Sequence, residues 1–492
     1  MMQEDDLWKS PEFQEGLAAY ERAKEQDDGN YPNADMLGCI ADYYDGLGRT
    51  DEAIAIADLA LDLYPGAGAP LYFKGRVALH HNDDTKQAET YSNQIVDKSS
   101  IDYLLLKLDI LLYENKTTEA ETFLKEVYDR LPDDQRDPCA EMIASMYLNY
   151  DHTPEAKAWL ARSSEKKEHS YRLEECRIAE NEKDYARAEK IMQQLIDEQP
   201  YNDDYWNRLG TIQMQAEAYE RALESSEYSL AINPDNDATL TMKGKALVEL
   251  KRYDEALDFY QRYQQKNPDD MKGELSLGII LTNLERYDEA VMHYQKAQRL
   301  AEDTAEGLDQ IYIGMAQALS KLQRADEAMS YIDKLAELDE VEDTEVCTER
   351  FRVMLETHWP VEEVAAYMEQ ALGTYLFGKS WQGCFLFYLF GKTAYECHNY
   401  ALCYGLFQRM SMLTDKIPKW YLGFSYYAIC SKLMKSEDEF KKALRLACRM
   451  NPAEAKEVLG DRFPDDVPPE SYYDYYLEWE KLNGEYSEED DE

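Results

Sequence analysis

Apolar and small residues fall on narrow stripes at helical spacing, and the stripes come in pairs. Between positions 203 and 236 the first stripe is Trp206, Leu209, Gly210 and Gln213, the i, i+3, i+4, i+7 positions of one helix face, with Gln213 its polar member. A second begins after Tyr219 with Ala222, Ser226 and Leu230. Asn233-Pro234 ends it, because proline cannot continue a helix and disfavours α geometry in the residue before it. The pattern predicts two helices joined by a short turn. Glycine on the first and alanine on the second let their axes approach closely, and tyrosine and leucine fill the remaining volume.

This unit repeats. Pro200, Pro234 and Pro268 are 34 residues apart, and so are Ala188, Ala222, Ala256 and Ala290. Tyr185, Tyr219, Tyr253 and Tyr287 keep the same step, as do Gly210, Gly244 and Gly278. Four residue types on one period define an array of a small unit. Upstream, Cys176 stands where the glycine belongs, and earlier units persist through Leu37, Ala41 and Ala53, through Leu71, Gly75 and Ala88, through Leu104, Ala120 and Leu124, and through Ala144, Tyr147 and Ala156. Downstream, Tyr312, Ala316 and Ala328 follow a four-residue insertion near 302–308, and Val364 and Ala371 mark a weaker unit. Phe387, Phe390, Gly391, Cys403 and Phe407 form the next, and Leu422, Gly423, Tyr426, Ala447 and Pro452 the last.

Trp206, Leu209 and Gly210, then Ala222 and Pro234, resemble the W-x-x-L-G…A…P pattern of the tetratricopeptide repeat (TPR), in an array of the bacterial cytoplasmic type. The resemblance implies an all-α fold, a right-handed superhelical solenoid of about twelve TPR-like helix-turn-helix units. It also implies that each first helix lines a concave face that holds an extended peptide or a partner helix. The expected organisation is an N-terminal capping helix in 1–33, carrying Phe13, Leu17, Tyr20 and Ala23, then divergent units in 34–168 and well-matched units in 169–340. Divergent aromatic-rich units follow in 341–452, then C-terminal capping helices in 453–483 and a disordered acidic tail in 484–492.

Charge changes the list of partners. The chain of 492 residues carries 53 basic and 99 acidic side chains, a formal charge of −46. That field disfavours nucleic acid and anionic membranes and keeps a long apolar-cored rod in solution. The N-terminus has neither a basic nor an apolar signal region, and the longest apolar run, CFLFYLF at 384–390, is far short of the ~20 residues of a membrane span. Nine cysteines without a C-x-x-C pair read as small hydrophobes in a reducing compartment. A cytoplasmic location is expected.

No catalytic motif emerges, neither a phosphate loop nor H-E-x-x-H nor G-x-S-x-G, so no enzyme activity, metal or cofactor is expected. His80-His81 with Asp83-Asp84 has metal-ligand chemistry but sits at a predicted turn, where polar residues collect anyway. Cys397-His398 lacks a visible orienting group.

The chemistry therefore lies on surfaces. If Trp206, Leu209 and Gly210 face the core, Asn207 and Thr211 fall on the adjacent stripe, with Arg208 beside them. The same offset gives Arg177, Lys245 and Lys272 in neighbouring units. These six are the candidate central groove, unless intramolecular carboxylates take the cations. Arg177, Asn207, Thr211, Lys245 and Lys272 depart from the carboxylate-gripping set of co-chaperone TPR proteins, which begins with lysine and has a second asparagine. A second candidate lies in the aromatic stretch between Phe377 and Tyr427. There Phe385, Tyr388, Lys392 and Tyr395 share the groove stripe, and Trp420, Phe424 and Tyr427 do likewise one unit on. Two aromatic stripes on one helix predict either a peptide-binding floor or burial by the C-terminal segment. The expected function is a protein-interaction scaffold or adaptor. A chaperone-like client receptor and a regulatory module of a transcription or secretion apparatus are the alternatives, and the oligomeric state is open.

Overall fold

The computed structural model describes residues 8, 10–26, 29–164, 166, 168–301, 306–339, 341–374, 381–412 and 420–484. Every regular element among them is helical. None of these helices is long and apolar enough to cross a membrane. Two compact units divide the chain, 1–250 and 251–492.

In the first unit the Pro11–Gln26 helix precedes six helix pairs: Ala34–Gly46 with Thr50–Leu63, Gly68–His80 with Thr85–Gln94, Ile101–Tyr113 with Thr117–Val127, Asp133–Asn149 with Thr153–Leu160, His169–Asn181 with Tyr185–Glu198, and Asp203–Gln215 with Tyr219–Ile232. Asp237–Glu249 closes that unit, and Tyr253–Lys266 opens the second. Five pairs follow: Met271–Asn283 with Tyr287–Ala301, Leu308–Lys321 with Ala325–Leu335, Asp343–Glu356 with Val361–Thr374, Trp381–Glu396 with Tyr400–Ser411, and Phe424–Leu433 with Glu437–Met450. The Pro452–Leu459 and Tyr472–Gly484 helices end it. Counted along the chain this is twelve helix-turn-helix units, a helical repeat solenoid. Of the expected acidic tail, only Gly484 is described, as the last residue of a helix.

Local chemistry starts several of the first helices. Asn202, Asn236 and Asp270, again 34 apart, accept backbone N–H groups of the first turn through their side chains. The turn inside each unit obeys a rule the sequence conceals. Among the described residues eleven non-glycine residues have positive φ, including Lys183, Glu217, Glu285, His398 and Lys435. Each closes a first helix in the left-handed conformation that glycine usually supplies. At Glu217 the amides fold back on the helix end: Ala218 N–H donates to Gln213 O at 2.8 Å and Glu217 N–H to Met214 O at 3.0 Å.

Packing explains the small residues. Tyr294, 1% exposed, lies against both Gly278 of its own unit and Gly314 of the next, and a Cβ at either glycine would overlap its ring. Gln213, the polar member of the stripe, is buried and accepts a hydrogen bond from Ser225 Oγ at 2.7 Å. The N-terminal cap buries Phe13, Tyr20 and Ala23. Trp206 is only partly buried, where the sequence expects a core residue. Its indole donates to Pro200 O at 2.9 Å and stacks on the exposed Tyr228 at 4.4 Å.

Relief of left-handed strain is testable. Glu217→Gly and Glu285→Gly, both at exposed turns, should each raise unfolding free energy by about 0.5–1 kcal/mol in denaturant titrations. A loss of stability in both would contradict this reading of the turns.

Candidate binding surfaces

The central cations are largely committed inside the chain. Arg177 donates to Ser145 Oγ at 2.7 Å, Glu174 at 2.9 Å and Asn149 Oδ1 at 2.6 Å. Arg208 holds Glu180 at 2.7 Å, and Lys272 pairs with Glu306 at 2.9 Å. Arg177 and Arg208 thereby tie their helices to the preceding first helix. Lys245 differs: it is exposed, with no hydrogen-bond or ion-pair partner among the described residues. Thr211 is exposed as well, its hydroxyl donating to Asn207 O at 3.0 Å. Asn207 is half-buried, and its Oδ1 is closed off from solvent without a hydrogen-bond donor. That orphan acceptor is unusual, since a buried polar atom without a partner costs about 1–3 kcal/mol.

Nearer the N-terminus the first helices carry a second polar network. Buried Asp109 accepts from Tyr150 OH at 2.7 Å and pairs with His80 Nε2 at 2.9 Å. His81 lies 3.8 Å from Asp45, Asp83 accepts from Tyr113 OH at 2.7 Å, and Asp84 caps the next helix at Gln87 N. The four residues of the His-His/Asp-Asp cluster thus turn to four separate partners. A cleft of about 30 Å³ lined by Asp45, Phe73, Arg76, Val77, His80 and His81 lies beside them, large enough for little more than water. Asp102 faces Gly68, where a Cβ would overlap its carboxyl oxygen. Burial first, and then the Asp35 carboxylate, push the Asp102 carboxyl up to about 6. No pattern in the sequence signals that pairing, because the two residues are 67 positions apart.

The aromatic stretch is mostly interior. Tyr388, Trp420, Phe424 and Tyr427 are buried, and Phe385, Lys392 and Tyr395 are half-buried. Phe377 lies outside the described residues. An open floor is therefore not what the described residues form, and two physical reasons account for the difference. The first is register. The small residue of the first helix stands seven positions before the left-handed turn residue: Gly210 before Glu217, Gly278 before Glu285, Gly391 before His398. Before Lys435 that position is Ala428, not Gly423, which instead precedes the helix with φ 87°. Phe424 and Tyr427 consequently occupy the register positions that Trp206 and Leu209 hold in their unit, and here both are buried. The second reason is cover. Tyr426 packs edge-on against Tyr388 and Tyr395, at 6.3 and 5.3 Å between ring centres. The Pro452–Leu459 helix sends in Glu454, 6% exposed, whose carboxylate accepts Gly423 N–H at 2.9 Å and Ser425 N–H at 3.3 Å. Trp381 stays exposed, stacked on Phe385 at 5.0 Å.

The surroundings of Cys397 disfavour its thiolate. Burial, with Glu356 next, pushes its thiol up to about 12, and the His398 ring meets Tyr400 OH at 3.0 Å.

Three family models described as tetratricopeptide repeat match the chain, one at 3–68, 40–100 and 176–238, one at 213–272 and one at 275–304 and 309–342. Similar solved structures include a MamA protein, 19% identical over 34% of this chain and 88% of its own, with a TM-score of 0.32. MamA AMB-1 is 27% identical over 35% and 98%, with a TM-score of 0.31. A MamA fragment from Desulfovibrio magneticus RS-1 is 16% identical over 35% and 95%, with a TM-score of 0.33. No curated protein matches significantly.

Two measurements check these placements. Trp420→Ala and Phe424→Ala should each cost about 3–5 kcal/mol of stability, since both rings are core; near-unchanged melting in both would restore the open floor. For Asp102 the folded carboxyl binds its proton more tightly than the unfolded one, near 3.9. Stability therefore falls as pH rises through about 4 to 6, and the loss is complete above that window. Asp102→Asn should melt higher than the parent at pH 7 and equal to it near pH 4, and an equal gap at both values would refute the assignment.

Proposed function

Because the chain belongs to the tetratricopeptide repeat family, we propose that it is a non-enzymatic cytoplasmic scaffold whose 1–250 unit binds a peptide or partner helix along its first-helix stripe. TPR repeats in general serve as protein-interaction modules, and the finer assignment rests on one observation. Asn207 Oδ1 is buried without a donor, next to exposed Thr211. A turn of the Asn207 amide would bring its oxygen to the surface, where an extended segment laid along this stripe can donate a main-chain N–H to it. Lys245, one repeat on from Thr211 and without a carboxylate partner among the described residues, can meet an acidic group of that segment. Arg177 and Arg208 support the stripe rather than contact the ligand, since their guanidinium groups already fasten neighbouring helices. Lys272, already paired with Glu306, has no comparable freedom.

A photo-crosslinking residue at Thr211, introduced in cells, tests this directly. One dominant adduct is expected, and Asn207→Ala with Lys245→Ala should weaken its formation by about tenfold or more. A ladder of many unrelated adducts would favour a client-binding chaperone. An undiminished adduct in the double variant would remove the stripe from consideration.

A further inference from the structure

Cys403 and Cys430 are both fully buried, and their sulfurs are 3.2 Å apart. Cys403 belongs to the Tyr400–Ser411 helix and Cys430 to the Phe424–Leu433 helix. Each thiol has a simple alternative as a small hydrophobe. At the place of Cys403, four positions after the helix-flanking residue Asn399, the units from 184 to 335 carry Ala188, Ala222, Ala256, Ala290 and Ala328. Packing alone is thus satisfied by alanine, and the sulfur is a departure. That this departure meets a second cysteine on the facing helix is a coincidence of two positions, which small-residue packing does not require. Both residues are free thiols, and the hydrogen bond with Cys430, followed by burial, pushes the Cys403 thiol far up.

We propose that Cys403 and Cys430 are a latent disulfide site, oxidised by hydrogen peroxide, that covalently fixes the C-terminal aromatic core. One thiolate attacks the peroxide, an S–O bond forms as the O–O bond breaks, and one water leaves. The second sulfur then attacks that sulfur, the S–S bond forms as the S–O bond breaks, and a second water leaves. Two thiols lose two electrons and two protons in total, and the peroxide becomes two waters. The sulfurs have to close by about 1 Å to reach bonding distance, within reach of small helix shifts. Burial and the raised thiol make the first step slow, so it proceeds through local opening of the helix pair. Once made, the bond would span positions 403 to 430 and hold together the two helices whose rings, Phe407 and Tyr426, stack at 6.0 Å. The Glu454 contacts to Gly423 and Ser425 lie at the start of the second of these helices, so the bond would also secure the seat of the C-terminal cap.

The test uses the reduced full-length chain treated with hydrogen peroxide or diamide. Expected are a mass loss of two hydrogens, a linked Cys403–Cys430 peptide after digestion, and a melting temperature raised by roughly 5–10 °C that reductant reverses. Cys403→Ala, which introduces the residue other units carry, should fold and lose both the linked peptide and the shift. The proposal fails if the treated protein retains both thiols open to alkylation on unfolding. It also fails if the crosslink forms elsewhere, or if the linked form melts no higher than the reduced one.

Discussion

The structure depends on one steric arrangement: a large side chain of a second helix seated on small residues of the first helices at either side of it. Tyr294 against Gly278 and Gly314 is the clearest case, and Phe407 against Gly391 and Gly423 repeats it. The ring fills volume that belongs partly to its own unit and partly to the next, so no unit encloses a core by itself. Burial of this kind is nearest-neighbour by construction, so a unit without a neighbour on one side leaves apolar surface for a further helix to cover. Phe13, Tyr20 and Ala23 supply that cover at one end, and Leu459 and Tyr472 at the other.

Polar contacts follow the same neighbour-to-neighbour logic. Arg177 reaches back to Ser145 and Asn149, Arg208 to Glu180, and Asp109 joins His80 to Tyr150 across three successive first helices. In a chain with 99 acidic and 53 basic side chains, such cations are scarce and mostly used for internal cohesion. The repeated pairs Arg49–Glu52, Arg286–Glu289 and Arg324–Glu327 are solvent-exposed and contribute little to stability. They recur at the start of these second helices, where the arginine flanks the first turn. Glu274 is the opposite case, almost fully buried and bound by His293 and Lys296 at 2.6 Å each.

The C-terminal end resolves a problem that aromatic content creates. A first helix with rings on two stripes exposes apolar surface unless a further element covers it. Here Tyr426 and the Pro452–Leu459 helix do so, and the Glu454 carboxylate sits on the N-terminal amides of the Phe424–Leu433 helix, where the helix dipole favours negative charge. Binding capacity on the inner stripes is therefore uneven. Among the described residues Asn207 and Lys245 keep unpaired polar groups on their first helices, whereas the C-terminal stretch is covered by the chain itself.

The repeat pattern by itself determined the helix pairs, and in the units that keep the 34-residue step it identified the small packing residues, because steric close approach leaves alanine and glycine at fixed positions there. It also located the candidate stripes, since side-chain direction along a helix follows from spacing alone. Tertiary structure decided what those stripes expose. The register of the last unit was concealed because its turn residue is Lys435 and its small residue Ala428, so Gly423 offered a false anchor five positions early. The fate of Arg177 and Arg208 depended on partners 28 to 32 residues away, and the proximity of Asp35 to Asp102 on chain passing through an intervening unit. A one-dimensional period records which face a residue occupies, but burial, pairing and charge at that face depend on which other segments arrive there.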